Sequence, residues 1–129
     1  MSFSIEYPGE WQNNGGVFDD SNGNKIAELL PGLVSLQPGQ KCFDVAPKNS
    51  GLSQLISQTD LSIARRQGVL RVSKVIYEGG YPNWTDYWYP NTFCLMEGDK
   101  AFVMTFYEHE IETEDRKLFI QILATLKFE

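Results

Sequence analysis

The sequence holds one histidine, two cysteines, few cations and no apolar run of about 18 residues, and each shortage removes a class of function. Without that run no helix can span a membrane. With His109 as the single histidine, a Ser–His–Asp type triad would have to be built on it, and no nucleophile is identified with it. The Cys42 and Cys94 pair contains no CxxC, which excludes a redox motif or zinc ribbon on spacing. Lys and Arg number 11 against 17 Asp and Glu, for a net charge of -6, and Arg65-Arg66 is the single Arg-Arg pair. Nucleic-acid affinity depends on cations displacing phosphate counterions, so this balance disfavours DNA, RNA and anionic membrane surfaces. There is no GxGxxG and no P-loop. Gly15-Gly16 and Gly79-Gly80 lack the residues that would follow them in a phosphate site and read as turns. No cofactor is implied.

What is present is globular. The 129 residues suit one domain, 1–129, able to bury roughly two-thirds of its unfolded surface without a metal or a disulfide lattice. Hydrophobic residues make up 42% and aromatics 13%, enough to expect an aromatic cluster. Cys42 and Cys94 could form one disulfide in an oxidising compartment or remain two buried thiols. Met1 leads directly into an alternating segment rather than a signal peptide, although a leader or lipid-attachment segment could precede a processed chain.

Period-two alternation of Phe3, Ile5 and Tyr7 predicts a first strand, closed by Pro8-Gly9. Val17 to Asp19 and Lys25 to Leu30 flank Asn22-Gly23 and predict a hairpin. Leu33 to Leu36 and Cys42 to Val45 are short strand candidates about Pro38-Gly39. Leu52, Leu55, Ile56, Thr59 and Ile63 lie at helical spacing. With Asn49 or Ser50 as cap, Arg65 and Arg66 in the last turn and Gly68 beyond it, a helix is predicted over 51–66. Val69 to Glu78 and Asp86 to Met96 predict two strands, with Pro90 arguing for an edge or a bulge. Ala101 to Tyr107 is apolar at nearly every position and predicts a central strand covered on both faces. Thr113 as cap, then Leu118, Phe119, Ile122, Leu123 and Leu126, predict a closing helix. Two amphipathic helices over an antiparallel sheet make an α+β layered sandwich.

Two motifs carry a family resemblance. Phe3-Ser4-Ile5-Glu6-Tyr7-Pro8-Gly9-Glu10-Trp11 resembles the opening of PsbP-like domains, and the stretch from Leu118 to Phe128 resembles their closing helix. Thr125 and Leu126 stand where Ser and Phe are more usual. The wider PsbP/Mog-like superfamily, with its DcrB-related members, implies an antiparallel sheet between helices that serves as a docking platform and not as an enzyme. Both motifs are structural and transfer no active site.

Asp19-Asp20-Ser21-Asn22-Gly23-Asn24 superficially resembles a calcium loop, but placing Gly23 sixth puts Phe18 first, and Phe cannot ligate calcium. His109 among Glu108, Glu110 and Glu112 lacks HExxH spacing and reads as a solvated loop. Asn83-Trp84-Thr85 fits a glycosylation sequon. Seventeen acidic residues guarantee carboxylate pairs somewhere, so their number identifies no glycosidase site. The richest segment is Tyr81, Trp84, Tyr87, Trp88 and Tyr89, an aromatic hairpin that either packs in the core or forms a contact surface. The functional expectation is a non-catalytic interaction or scaffolding module of an exported bacterial protein, binding a protein partner through those rings. A cytoplasmic adaptor or chaperone and a small-ligand carrier are the alternatives.

Overall fold

Backbone pairing joins the two ends of the chain: β1 (Phe3–Ser4) runs antiparallel to β10 (Lys127–Phe128), with Phe3 opposite Phe128. The computed structural model describes residues 2–30, 32–46, 52–80, 83–108 and 114–129, with backbone alone at 52, 77–80, 83–87 and 114–115. Between the ends lie β2 (Gln12–Asn14), β3 (Val17–Asp19), β4 (Lys25–Leu29), β5 (Val34–Ser35), a 3-10 turn (Cys42–Val45), β6 (Leu52–Ile63), β7 (Arg66–Gly80), β8 (Asn83–Glu97), β9 (Lys100–Glu108) and α1 (Glu114–Leu123). One antiparallel sheet runs β2-β3-β4-β9-β8-β7-β6, with β5 paired to β9.

Alternation along β9 sends Phe102, Met104 and Phe106 to one face and Ala101 and Val103 to the other. The first face packs under α1, where Phe119, Ile122, Leu123 and the following Leu126 are buried and Phe106 stacks on Phe119 at 4.4 Å. Both faces of β9 are therefore covered, and the strand lies inside the sheet as its apolar run predicts. The β3–β4 hairpin also forms where predicted. Asp20 closes it, its Oδ1 accepting from the amides of Asn22 and Asn24, and Gly23 supplies a φ of 81°.

The expected α+β sandwich is corrected to a fold built mainly of antiparallel strands, with α1 the single α-helix among the described residues. The segment expected as the helix over 51–66 is strand β6, paired along its length with β7. Ala64 and Arg65, at φ 53° and 61°, form a two-residue turn of the mirror-image kind that matches strand twist. Gly68, expected beyond a helix end, lies within β7, where an added Cβ would overlap the Phe93 ring. Cys42 to Val45 is a 3-10 turn instead of a strand, and the strand expected over Leu33 to Leu36 shrinks to β5.

Pro90 is not on an edge, because β8 lies between β7 and β9. Its missing N–H is accommodated by a gap: the β7–β8 ladder passes from Val72↔Asn91 to Val75↔Trp88. The Asn91 side chain then donates to the carbonyl of Tyr89 at 2.9 Å inside that gap. The cap residues Asn49, Ser50 and Thr113, together with His109 and Tyr81, lie outside the described residues.

Candidate interaction surface

The sheet face turned away from α1 has two unlike halves. Over the first runs a strap formed by residues 32–46. Pro38-Gly39 turns it, with Gly39 at φ 85° and the Gln37 amide donating to Gln40 Oε1. A backbone bond from Leu36 N to Asp99 O at 3.0 Å holds it to the turn before β9, and just ahead of it Leu30 N bonds Val103 O of β9 at 3.3 Å. The Lys41 amide donates to Asp44 Oδ2 at 2.8 Å and starts the 3-10 turn. Cys42 is joined by a disulfide to Cys94 of β8, with Cα atoms 6.0 Å apart. Leu36, Cys42, Phe43, Val45 and Ala46 pack on Cys94, Ala101 and Val103 as a second small core. The Arg71 guanidinium sits 3.9 Å from the Phe43 ring centroid and donates to Gln58 Oε1 at 2.8 Å. An open groove of about 350 Å³ runs beside the strap, with Lys41, Phe43, Gln58, Arg71 and Met96 among its walls.

The second half carries aromatic side chains, and among the described residues no strap crosses it. Trp88 of β8 is half-buried, paired in register with Val75, and meets Tyr107 of β9 edge to face at 6.2 Å. The Lys25 ammonium lies 4.8 Å from the Tyr107 ring centroid. Burial lowers its pKa from the ordinary lysine value, and the charge of Asp19 partly opposes that. Tyr89, next in the strand, points to the opposite face and pairs in register with Glu108. The structure thus separates two of the candidate aromatic residues by face. Trp84 and Tyr87 sit in strand β8, opposite Gly79 and Ile76.

A polar cluster escaped the sequence reading. Glu108 and Asn91 are fully buried between the sheet and α1. The Asn91 amide donates to Glu108 Oε1 at 2.6 Å, and Arg116 Nε donates to the same oxygen at 3.0 Å. Arg116 lies in the first turn of α1, where the helix dipole disfavours a cation, so the Glu108 carboxylate compensates its placement. No local pattern announces the cluster, because its members come from three elements. With Asn91 of β8 and Arg116 of α1 both bound to one oxygen of Glu108, the cluster ties α1 to the sheet.

Among the described residues, no group of three or more His, Cys, Asp or Glu side chains could hold a metal ion. No helix among them is long and apolar enough to cross a membrane. No family model matches the chain, and no curated protein matches it at a significant level.

Proposed function

We propose that this domain is an interaction module of an exported bacterial protein, docking a protein partner through the aromatic end of the sheet face turned away from α1. The observation that carries this reading is the Trp88–Tyr107 pair, a half-buried aromatic contact with Lys25 beside it. Aromatic rings supply large contact area at small entropic cost, and a neighbouring cation adds polarity at the rim. Export is supported by the Cys42–Cys94 disulfide, a bond that persists in oxidising compartments. Kinship with PsbP-like and Mog-like domains is proposed at the level of the two motifs alone. Phe3 pairs with Phe128 and the Glu6 amide donates to the Thr125 hydroxyl at 2.8 Å, so the opening and closing motifs are in contact.

The test is a pull-down from native extract with wild type beside Trp88→Ala, both checked for cooperative melting. A partner recovered by wild type and lost by the variant is the expected result. Equal recovery by both overturns the reading. The groove beside the strap favours a second reading, a carrier of a small anion held by Lys41 and Arg71, since its volume falls in the range of ligand sites. A thermal shift with small carboxylates that Arg71→Gln abolishes would support the carrier over the docking module.

A further inference from the structure

Among the described residues, the outer side of β6 is the longest unpaired edge of the sheet. Strand β6 spans 12 residues, ends the strand order, and has no strand paired to its outer side among the described residues. Open edges of this length are usually blunted with Lys or Pro, because their free N–H and C=O groups template pairing with another chain. Leu52 to Ile63 contains no Lys, Arg or Pro, and its single charge is Asp60. Its one irregularity is a bulge between Leu55 and Ser57.

The turn at Ala64-Arg65 decides which backbone groups are free. In a two-residue hairpin the flanking pair, here Ile63 and Arg66, exchanges both hydrogen bonds. Counting back by two, Leu61, Thr59 and Ser57 direct their N–H and C=O toward β7, while Ser62, Asp60 and Gln58 direct theirs outward. All three outward residues are exposed, and so is Thr59.

We propose that this edge pairs antiparallel with the same edge of a second copy, forming a two-fold dimer with one continuous sheet. The inference is independent of the Trp88 surface. Charge selects the register. A two-fold through Asp60 would oppose two like carboxylates, which destabilises a strand pair. Moving the axis to Thr59 makes Gln58 and Asp60 of the second copy a hydrogen-bonded pair. The Gln58 Oε1 already accepts from Arg71, which leaves its amide N–H to donate to that carboxylate. Thr59 then faces Thr59 of the second copy in the close, non-hydrogen-bonded position, where Thr–Thr pairs are favourable. The second copy fits this edge because the one acidic residue meets an amide while the rest of the strand is neutral. Since each chain carries a net charge of -6, added salt strengthens the pairing.

The test is sedimentation equilibrium of the full chain up to about 1 mM, at low and high salt. Wild type is expected to dimerise reversibly, more tightly at high salt. Thr59→Lys, which places two ammonium groups on the axis, is expected to weaken association about tenfold or more. Ile120→Lys, an added cation on the exposed side of α1, is expected to leave it unchanged. Thr59→Cys is expected to form a covalent dimer under mild oxidation, because non-hydrogen-bonded pairs lie within disulfide reach, whereas Ser53→Cys is not. A wild type monomeric throughout, or equal dimerisation by Thr59→Lys with no Thr59→Cys crosslink, overturns the proposal.

Discussion

Strands β9 and β6 belong to one sheet and have almost nothing else in common. In β9 every residue from Ala101 to Phe106 is buried, because α1 covers one face and the strap the other. In β6 residues 53–60 are all exposed apart from Ser57, which is half-buried. A strand held between two layers must be apolar throughout, and a strand that projects as one side of a hairpin is under no such constraint. The difference shows that the domain invests its stability in β9 and leaves β6 to be specified by backbone pairing and by one turn.

The largest expected contrast comes from shortening side chains on the two strands. Phe106→Ala removes a ring stacked on Phe119 and should cost about 3–5 kcal/mol, whereas Leu55→Ala on β6 should stay within about 0.5 kcal/mol. Urea unfolding of both variants checks this, and comparable losses would break the contrast. Next comes the strap. Cys42→Ala with Cys94→Ala opens a covalent loop with a sequence separation of 52 and should cost about 2–4 kcal/mol. Melting in the presence of a dithiol should reproduce that loss in wild type and change nothing further in the double variant.

Much of the β9 half was legible in advance, and the reason is burial. The apolar run at 101–107, the Asn22-Gly23 turn and the stripe Phe119, Ile122, Leu123 and Leu126 each carry a pattern that packing enforces. Strand β6 reads as a helix for the converse reason. With no buried face over residues 53–60 the strand shows no period-two signal there, and the spacing of Leu52, Leu55, Ile56 and Thr59, accommodated by the bulge at Leu55–Ser57, mimics a helical stripe. Arg65-Arg66 and Gly68 read as a helix end, although Arg65 belongs to a turn, Arg66 starts β7 and Gly68 lies under the Phe93 ring. The aromatic segment was recognised as chemically rich, but alternation puts Trp88 and Tyr89 on opposite faces. The Cys42–Cys94 bond and the Glu108–Asn91–Arg116 cluster join distant segments, and no local spacing encodes either.

Two smaller effects sharpen the corrected reading of the hairpin. Gly68→Ala places a methyl group against the Phe93 ring and should cost about 1–3 kcal/mol by overpacking, seen as a lower melting temperature. Arg65→Gly relieves a positive φ and should stabilise by about 1 kcal/mol, while in a helix the same change would destabilise by a similar amount. The sign of that one shift therefore separates turn from helix.

The smallest effect is acid sensitivity at the base of the hairpin. Arg66 bonds Glu97 and the Ala64 carbonyl and lies over the Phe128 ring. Its hydrogen bond holds the Glu97 carboxyl below the ordinary value of 4.5. A depressed carboxyl contributes stability above its unfolded value, and that contribution disappears as pH falls through the lower folded value. Melting curves between neutral and acid pH should show a slightly shallower acid slope in Arg66→Ala than in wild type.

The most direct test of the open β6 edge is residue-resolved amide hydrogen exchange at two protein concentrations. In dilute solution the amides of Thr59, Leu61 and Ile63 should exchange slowly and those of Gln58, Asp60 and Ser62 quickly. At high concentration the second set should become protected as well. Uniform protection of all six residues at every dilution would contradict an open strand edge, and alternation that ignores concentration would contradict its pairing with a second copy.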